Sequence, residues 1–383
     1  FSMSRLVTLT TLAIAATTLS ACAPASIKEA PLAQKTDDVT AVAKSDSNPL
    51  LEEWGGRFGL PPFSRIKTCH FLPAVKAGIE AQRAEIAAIA GNTEAPTFQN
   101  TIKALDMSGR LLEKVELVLY NLSSAETTPE LQAVMRDVAP LTTALEDDIF
   151  LNRDLFKRVE SIFNDRERLG LDPVSIRLVE EIRKAFIRSG AALDDASQAR
   201  LREINQELSV LGLKFGDNLL AETNAFTLIL EGPGDLAGLA PSTIEAAAAA
   251  AEKAGMPGKW LVNLSYPSMW PFVQQSTRRD LRQKVIEAYA SRCDRGNEYD
   301  NNDIIARIAT LRLEKAKLLG YASWADFVLE ERMAKTPAEV DGLLDRLWKP
   351  ALDVARVEAE EYTAEAVKAG HKGPFMPWDW HYW

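Results

Sequence analysis

His70, His371 and His381 are the only imidazoles in this 383-residue chain, so any metal or acid-base chemistry that needs histidine has to be built from them. A catalytic zinc takes three protein ligands and keeps one position open, usually with two histidines one helical turn apart. No pair here has that spacing. His371 and His381 lie ten residues apart across Gly373-Pro374, and His70 follows Cys69 just ahead of a helix start. Surface or capping roles are the expectation for all three, and no catalytic or metal-binding residue is assigned. The chain has no Gly-rich phosphate loop and no Gly-x-Ser-x-Gly turn to raise a nucleophile. Carboxylates are plentiful, with 54 Asp and Glu against 44 Lys and Arg, yet none is spaced to single out an acid and a base. The net charge of −10, with no basic cluster, argues against nucleic acid as a partner. Acid-rich runs such as Val357-Glu358-Ala359-Glu360-Glu361 read as solvated helix faces.

The chain's start carries a different kind of signal. Phe1 and Ser2 precede Met3 and are set aside. Arg5 then gives a positive segment and Leu6 to Leu19 an apolar run of 14 residues, too short for a membrane-spanning helix and suited to a signal peptide over residues 1–21. Leu19-Ser20-Ala21-Cys22 resembles the bacterial lipobox, in which cleavage leaves the cysteine as a lipid-bearing terminus. Several acyl chains on Cys22 would anchor stably where one gives only marginal binding. Ala23 after the cysteine, rather than Asp, resembles lipoproteins destined for the outer membrane, facing the periplasm of a bacterial envelope. Residues 22–47, rich in Ala, Pro, Ser, Thr, Asp and Lys without apolar periodicity, are expected to be a flexible tether. With Cys22 acylated, Cys69 and Cys293 could still pair in an oxidising compartment. Sequence alone does not bring their Cα atoms within about 7 Å, and unpaired thiols are the expectation.

The body, residues 48–383, reads as mainly α, with 46% hydrophobic and 26% charged residues, which is ample for a core. Helical patterns cover Phe71 to Ile89 and Thr97 to Tyr120, the second with Ile102, Leu105, Leu112, Val115 and Leu119 on one face. Thr128-Pro129 and Asp172-Pro173 each pair a capping residue with a proline to launch a helix, and Gly190 ends the latter. Leu201, Ile204, Leu208, Leu211, Phe215 and Leu219 mark a long helix from Asp195 to about Glu222. Phe226–Leu230 and Trp260–Leu264 are the two strand candidates, read as one small antiparallel pair around an Ala-rich helix from Ser242 to Ala254. Tyr266-Pro267 and Trp270-Pro271 are expected to break the chain before a helix from Ser276 to Arg292. Ile304, Ile305, Ile308, Leu311, Ala316, Leu318 and Leu319 predict a buried helix stopped by Gly320, and Ser323 and Thr336 cap two further helices. Pro350 is expected to interrupt and kink the last helix near Trp348, and Gly370 to end it.

Leu311–Ser323 and Met333–Val340 resemble segments of the thimet oligopeptidase and dipeptidyl carboxypeptidase family of zinc metallopeptidases. Asn48–Trp54, Phe71–Ala74, Pro96–Thr101, Leu220–Ala225 and Pro377–Trp380 extend the resemblance over residues 48 to 383, most like the bacterial dipeptidyl carboxypeptidases. The resemblance implies the multi-helical N-terminal half of a two-lobed, channel-type peptidase, monomeric when complete, that hydrolyses short peptides. It implies a Zn2+ held by a His-Glu-x-x-His helix and a downstream Glu, with the motif Glu activating the metal-bound water. None of those residues occurs here, so no site residue carries over and this chain alone is expected to bind no zinc and to be inactive. The end of the chain, with four aromatic residues among its last six, is expected to leave a large uncovered apolar surface, as in part of a longer polypeptide. The alternative from another class is a non-catalytic helical envelope lipoprotein that binds peptides or scaffolds a partner.

Overall fold

The computed structural model describes residues 47–383, and the expected signal peptide, the expected lipidation site Cys22 and all but the last residue of the expected tether lie outside the described residues. The fold is mainly α with one two-stranded antiparallel sheet. The chain divides into two compact units, one reaching to Gln206 and the other spanning Glu207–Trp383.

The first unit is organised around α1 (Phe71–Ala90). Phe71, Ala74, Val75, Ile79, Ile86 and Ile89 recur at helical spacing and are all buried. Gly78 on that face lets α3 (Arg110–Ala125) approach closely, because a Cβ there would stand 2.8 Å from the Leu112 Cα. Leu112, Val115, Val118 and Leu119 fill the other side of this contact. The helices α4 (Pro129–Phe150) and α5 (Arg153–Asp165) also pack on α1, and α6 (Pro173–Arg188) pairs with α5. Thr128 and Asp172 cap α4 and α6 as their spacing predicts. The Thr128 hydroxyl accepts the Leu131 N–H at 3.2 Å, and Asp172 accepts from Val174 and Ser175 at 2.9 and 3.1 Å.

The single helix expected from Thr97 to Tyr120 is broken. A π-helical turn, Phe98–Lys103, runs into the short α2 (Ala104–Met107), and the chain then turns at Gly109 before α3. Gly109 has φ +70° and its N–H donates to Glu85 at 2.6 Å, while an added Cβ would collide with Gln82. Residues 105 and 112 are seven apart, two near-whole turns, so the apolar spacing stays in phase across the turn and hides the break.

The helix α7 (Asp195–Ala225) contains the division between the units. In the second unit β1 (Leu228–Leu230) pairs with β2 (Trp260–Val262), Leu228 opposite Val262 and Leu230 opposite Trp260. Both strands are shorter than the apolar runs that announced them. The Ala-rich α8 (Pro241–Lys253) packs on β2. The expected break after β2 does not occur, since α9 (Tyr266–Gln275) passes through both prolines. Pro267 lies in the first turn, where a missing N–H costs nothing, and Pro271 forfeits one bond while its neighbours Met269, Phe272 and Val273 are fully buried. These three join Leu230, Val262, Leu264, Leu281 and Val285 in the core of the unit.

After α10 (Arg279–Ala290), the helix α11 (Asn302–Leu318) is buried on one side only. Ile304, Leu311 and Ala316 are inside, whereas Ile305 is 53% exposed. Gly320 stops α11 at φ +87°, with the Tyr321 and Gly320 N–H groups closing back on the Ala316 and Lys317 carbonyls. Ser323 and Thr336 cap α12 (Trp324–Leu329) and α13 (Pro337–Lys368). Pro350 does not interrupt α13, because the carbonyl it leaves unbonded belongs to the exposed Arg346, where water can serve it.

Substituting Gly78→Ala forces α1 and α3 apart. Thermal unfolding is expected to show a loss of about 1–3 kcal/mol, despite alanine's better helix propensity. An unchanged or raised midpoint would show that the close approach is not required.

Candidate functional site

Among the described residues, the buried charges Arg158, Glu222, Arg282 and Asp379 each sit within a hydrogen-bond network. In the first unit Arg158, on α5, is buried and donates to the carbonyls of Asn92 and Glu94 at 2.7 and 3.1 Å, to Thr101 Oγ1 at 3.2 Å and to Asn100 Oδ1 at 3.1 Å. Thr97 and Asn100 cap the same turn reciprocally, with N–H donations at 3.1 and 2.8 Å. The Pro96–Thr101 segment is therefore a turn built to hold a guanidinium.

In the second unit Glu222 on α7 is 3% exposed and accepts the Cys293 N–H and, at 2.9 Å, the Asn297 side-chain amide, with Arg295 at 3.5 Å. Asn301 completes the strap. It donates to the Phe215 carbonyl at 3.1 Å and accepts from Asn218 at 2.9 Å, fastening the loop 293–301 to α7. Burial would raise the Glu222 carboxyl, but the Cys293 N–H and Asn297 outweigh it and hold it below the usual value. Burial and the adjacent Glu222 charge push the Cys293 thiol up, so it is a poor nucleophile. Cys69 is exposed, Cys293 is buried, and both are free thiols.

The most elaborate arrangement ties the end of the chain to α10. Asp379 is fully buried. Its Oδ1 accepts from Arg279 Nε and Arg282 Nη2, both at 2.9 Å, and its Oδ2 accepts from Arg279 Nη2 at 2.8 Å and the Met376 N–H at 3.0 Å. Arg282 also donates to the carbonyls of Ser276 and Trp378, at 2.7 and 3.0 Å. The aromatic residues expected to form an uncovered surface instead fold back on this anchor. The His381 ring meets Trp270 at 4.5 Å, Tyr382 lies 4.0 Å under the Arg282 guanidinium, and Trp380 packs on Tyr362 and Phe375 at 5.5 and 5.9 Å. Two guanidiniums around one carboxylate leave no lone pair in a position to move a proton, so the cluster is structural.

The remaining histidines are placed as caps and packing groups. His70 Nδ1 accepts the Lys67 N–H at 3.0 Å while its carbonyl accepts from Asn48 at 2.8 Å, and His371 Nε2 lies 3.4 Å from the Pro374 carbonyl. Among the described residues no group of three or more His, Cys, Asp or Glu is arranged to hold a metal ion, so the side chains present do not fit a zinc site. Arg158, Arg282 and Glu222 were not singled out from the sequence. Glu222 follows Leu219 by three in the apolar stripe of α7, and Arg282 stands beside Leu281 and Val285, so a charge written into an apolar face was the available signal.

Fold and site together define a helical scaffold in which Arg158, Glu222, Arg282 and Asp379 are buried charges held by hydrogen bonds. The chain matches the Peptidase family M3 profile over residues 272–383. It is 34% identical over 339 residues to a dipeptidyl carboxypeptidase of Salmonella typhimurium and 35% identical over 338 residues to that of Escherichia coli K12, alignments covering 88% of this chain and 50% and 49% of those proteins. Oligopeptidase A of Haemophilus influenzae is 30% identical over 339 residues, 88% of this chain and 49% of that protein. The chain belongs to Peptidase family M3, and it spans about half the length of the curated relatives it matches.

Burial raises the Asp379 carboxyl, but the hydrogen bonds from Arg279, Met376 and Arg282 more than offset it and leave it below its ordinary value of 3.8. The stabilisation is present above that ordinary value and is lost as pH falls through the folded one. Asp379→Asn is expected to cost about 3 kcal/mol at neutral pH, the low end for a buried pair because Arg279 is 34% exposed. Urea unfolding followed from pH 6 down to about pH 3 should show the two proteins converging. A constant difference would remove Asp379 ionisation as the cause.

Proposed function

We propose that this chain is the N-terminal, non-catalytic half of a zinc-dependent peptidase that removes dipeptides from, or cuts within, short peptides. The observation that carries the reading is a 34–35% identity to two dipeptidyl carboxypeptidases over 338–339 residues, in a chain whose described residues offer no metal-holding group. In the segments that carry the family resemblance, Asn48, Asn100, Glu222 and Asp379 use their side chains to fasten the scaffold. The zinc ligands and the general base belong to the length of the relatives that this chain does not span, and no step of hydrolysis is assigned to residues here. The scaffold's part is to form one wall of the space that admits short, flexible peptides and excludes folded ones.

The same reading includes delivery to the bacterial envelope. Cys22 takes acyl chains after cleavage of the leader and holds the protein at the outer membrane through residues 22–47. No helix among the described residues is long and apolar enough to cross a membrane, so attachment rests on Cys22 in this reading.

Two measurements test the reading. The purified 383-residue chain, supplied with Zn2+, is expected to release no dipeptide from a short blocked peptide above the buffer rate. Joined in one polypeptide to the unmatched portion of the Escherichia coli dipeptidyl carboxypeptidase, it is expected to give a rate abolished by a chelator and restored by Zn2+. A chelator-sensitive rate from the chain alone, or none from the joined protein, would overturn the assignment. For the anchor, mass spectrometry of the protein produced in a lipoprotein-processing bacterium should show acylation and membrane association of the natural sequence, and neither in Cys22→Ser.

A further inference from the structure

The small sheet of the second unit leaves one strand half used. β1 pairs with β2 alone, so among the described residues the N–H and C=O groups on its other side meet no strand. Thr227, Leu228 and Ile229 make no backbone hydrogen bond outside that ladder among the described residues. The far end of the edge is closed by Glu231, whose N–H donates to Asp235 at 2.9 Å. Leu228 packs on the core of the unit and Leu230 lies within it, which fixes the strand while leaving its outer edge open. An open strand edge is a template for one more extended chain.

What lies beside the edge decides what can pair with it. A cleft of about 400 Å³ has Phe226, Thr227 and Leu228 on one wall, and on the other Lys284, Ala288 and Ser291, which follow one another at steps of four and three along α10 and its cap. No residue of β2 lines it. Three consecutive residues do, where a sheet face would offer every second one, so the cleft runs along the unpaired edge. Ala288 is buried and too short to fill the space above it. A strand edge walled by a helix admits an extended chain that bonds to the strand through its backbone and lays alternate side chains against the helix.

The ionic groups of the cleft indicate which end of such a chain it receives. Arg295 donates to the Ala288 carbonyl at 2.6 Å and to Ser291 at 3.0 Å, and stands 3.5 Å from Glu222. Glu287 accepts from Gln283 at 2.7 Å. Lys284 is exposed and has no hydrogen bond or ion pair among the described residues, so its ammonium donors are left for a carboxylate.

We propose that a short peptide with a free C-terminal carboxylate adds to the open edge of β1 as a third strand, in the cleft walled by α10, and sets that carboxylate on Lys284. The choice of a short peptide rests on the reading of the chain as part of a peptidase. The inference goes beyond that reading in giving these residues a peptide-binding surface of their own, separate from any metal.

The test titrates the 383-residue chain into a fluorescein-labelled pentapeptide of alternating Val and Thr with a free C-terminus, followed by anisotropy. Saturable binding is expected, weakened about threefold or more by amidating the peptide's C-terminus or by Lys284→Glu, and unchanged by Lys349→Glu on the exposed part of α13. Bound peptide should slow amide hydrogen exchange at residues 227–229 about tenfold or more. Methylating the backbone nitrogens of the odd or of the even peptide residues removes donors from one peptide edge at a time. One methylated peptide is therefore expected to lose binding and the other to keep it, a result that does not depend on any variant folding. No saturable binding, equal behaviour of the two methylated peptides, indifference to Lys284→Glu and to amidation, or edge amides already protected without peptide would overturn the proposal. Such a failure would leave the joined-protein assay of peptidase activity untouched, whereas an inactive joined protein that still captures the peptide would overturn the peptidase reading and leave the cleft standing.

Discussion

A buried carboxylate gripped by two arginines nearly a hundred residues earlier in the chain governs how the second unit closes. Asp379 reaches Arg279 and Arg282 across separations of 100 and 97 residues. An ion left alone in such a place costs several kcal/mol, so the end of the chain has one arrangement in which all three groups are served and many in which they are not. Helix packing by itself is more permissive, since apolar faces of similar width can slide or rotate against one another. Glu222 performs the same service for the loop 293–301, and Arg158 does so in the first unit for the turn at Pro96–Thr101. In each case a helix supplies a buried charge, or receives one, and an irregular segment supplies the complementary polar groups. These irregular segments are thus tied to the helices by buried polar contacts.

What could be read from the sequence divides along the same line. Features decided within a few residues were legible: the caps at Thr128, Asp172, Ser323 and Thr336, and the stops at Gly190, Gly320 and Gly370, whose positive φ no other residue adopts so cheaply. The small sheet was legible because β-branched and aromatic runs bracket an Ala-rich helix. Features decided by distant packing were not. Pro267 and Pro271 signal a break, yet Phe272 and Val273 gain more by staying helical in the core than one lost hydrogen bond costs. The turn at Gly109 was concealed by apolar positions that keep phase across it. The aromatic end read as uncovered because its partners Trp270, Tyr362 and Arg282 lie elsewhere in sequence.

The buried charges also change the meaning of the family resemblance. Motif residues in a peptidase family invite a search for catalytic roles, and here the buried carboxylates Glu222 and Asp379 accept hydrogen bonds from protein donors. Glu222 and Asp379 are held below their ordinary ionisation range by donors aimed at them, which is the opposite of a carboxyl raised toward neutrality for proton transfer. Cys293 is pushed the other way, toward an inert thiol. Neither shift suits a group that passes a proton at neutral pH.

Among the described residues the buried charges Arg158, Glu222, Arg282 and Asp379 fasten the scaffold, and no group of three or more His, Cys, Asp or Glu is arranged to hold a metal ion. Calorimetric titration of Zn2+ into the folded chain at neutral pH tests it directly, read together with metal content after dialysis. No saturable heat and no retained zinc are expected. A one-to-one uptake at micromolar affinity or tighter, lost on substitution of His70, His371 or His381, would contradict it.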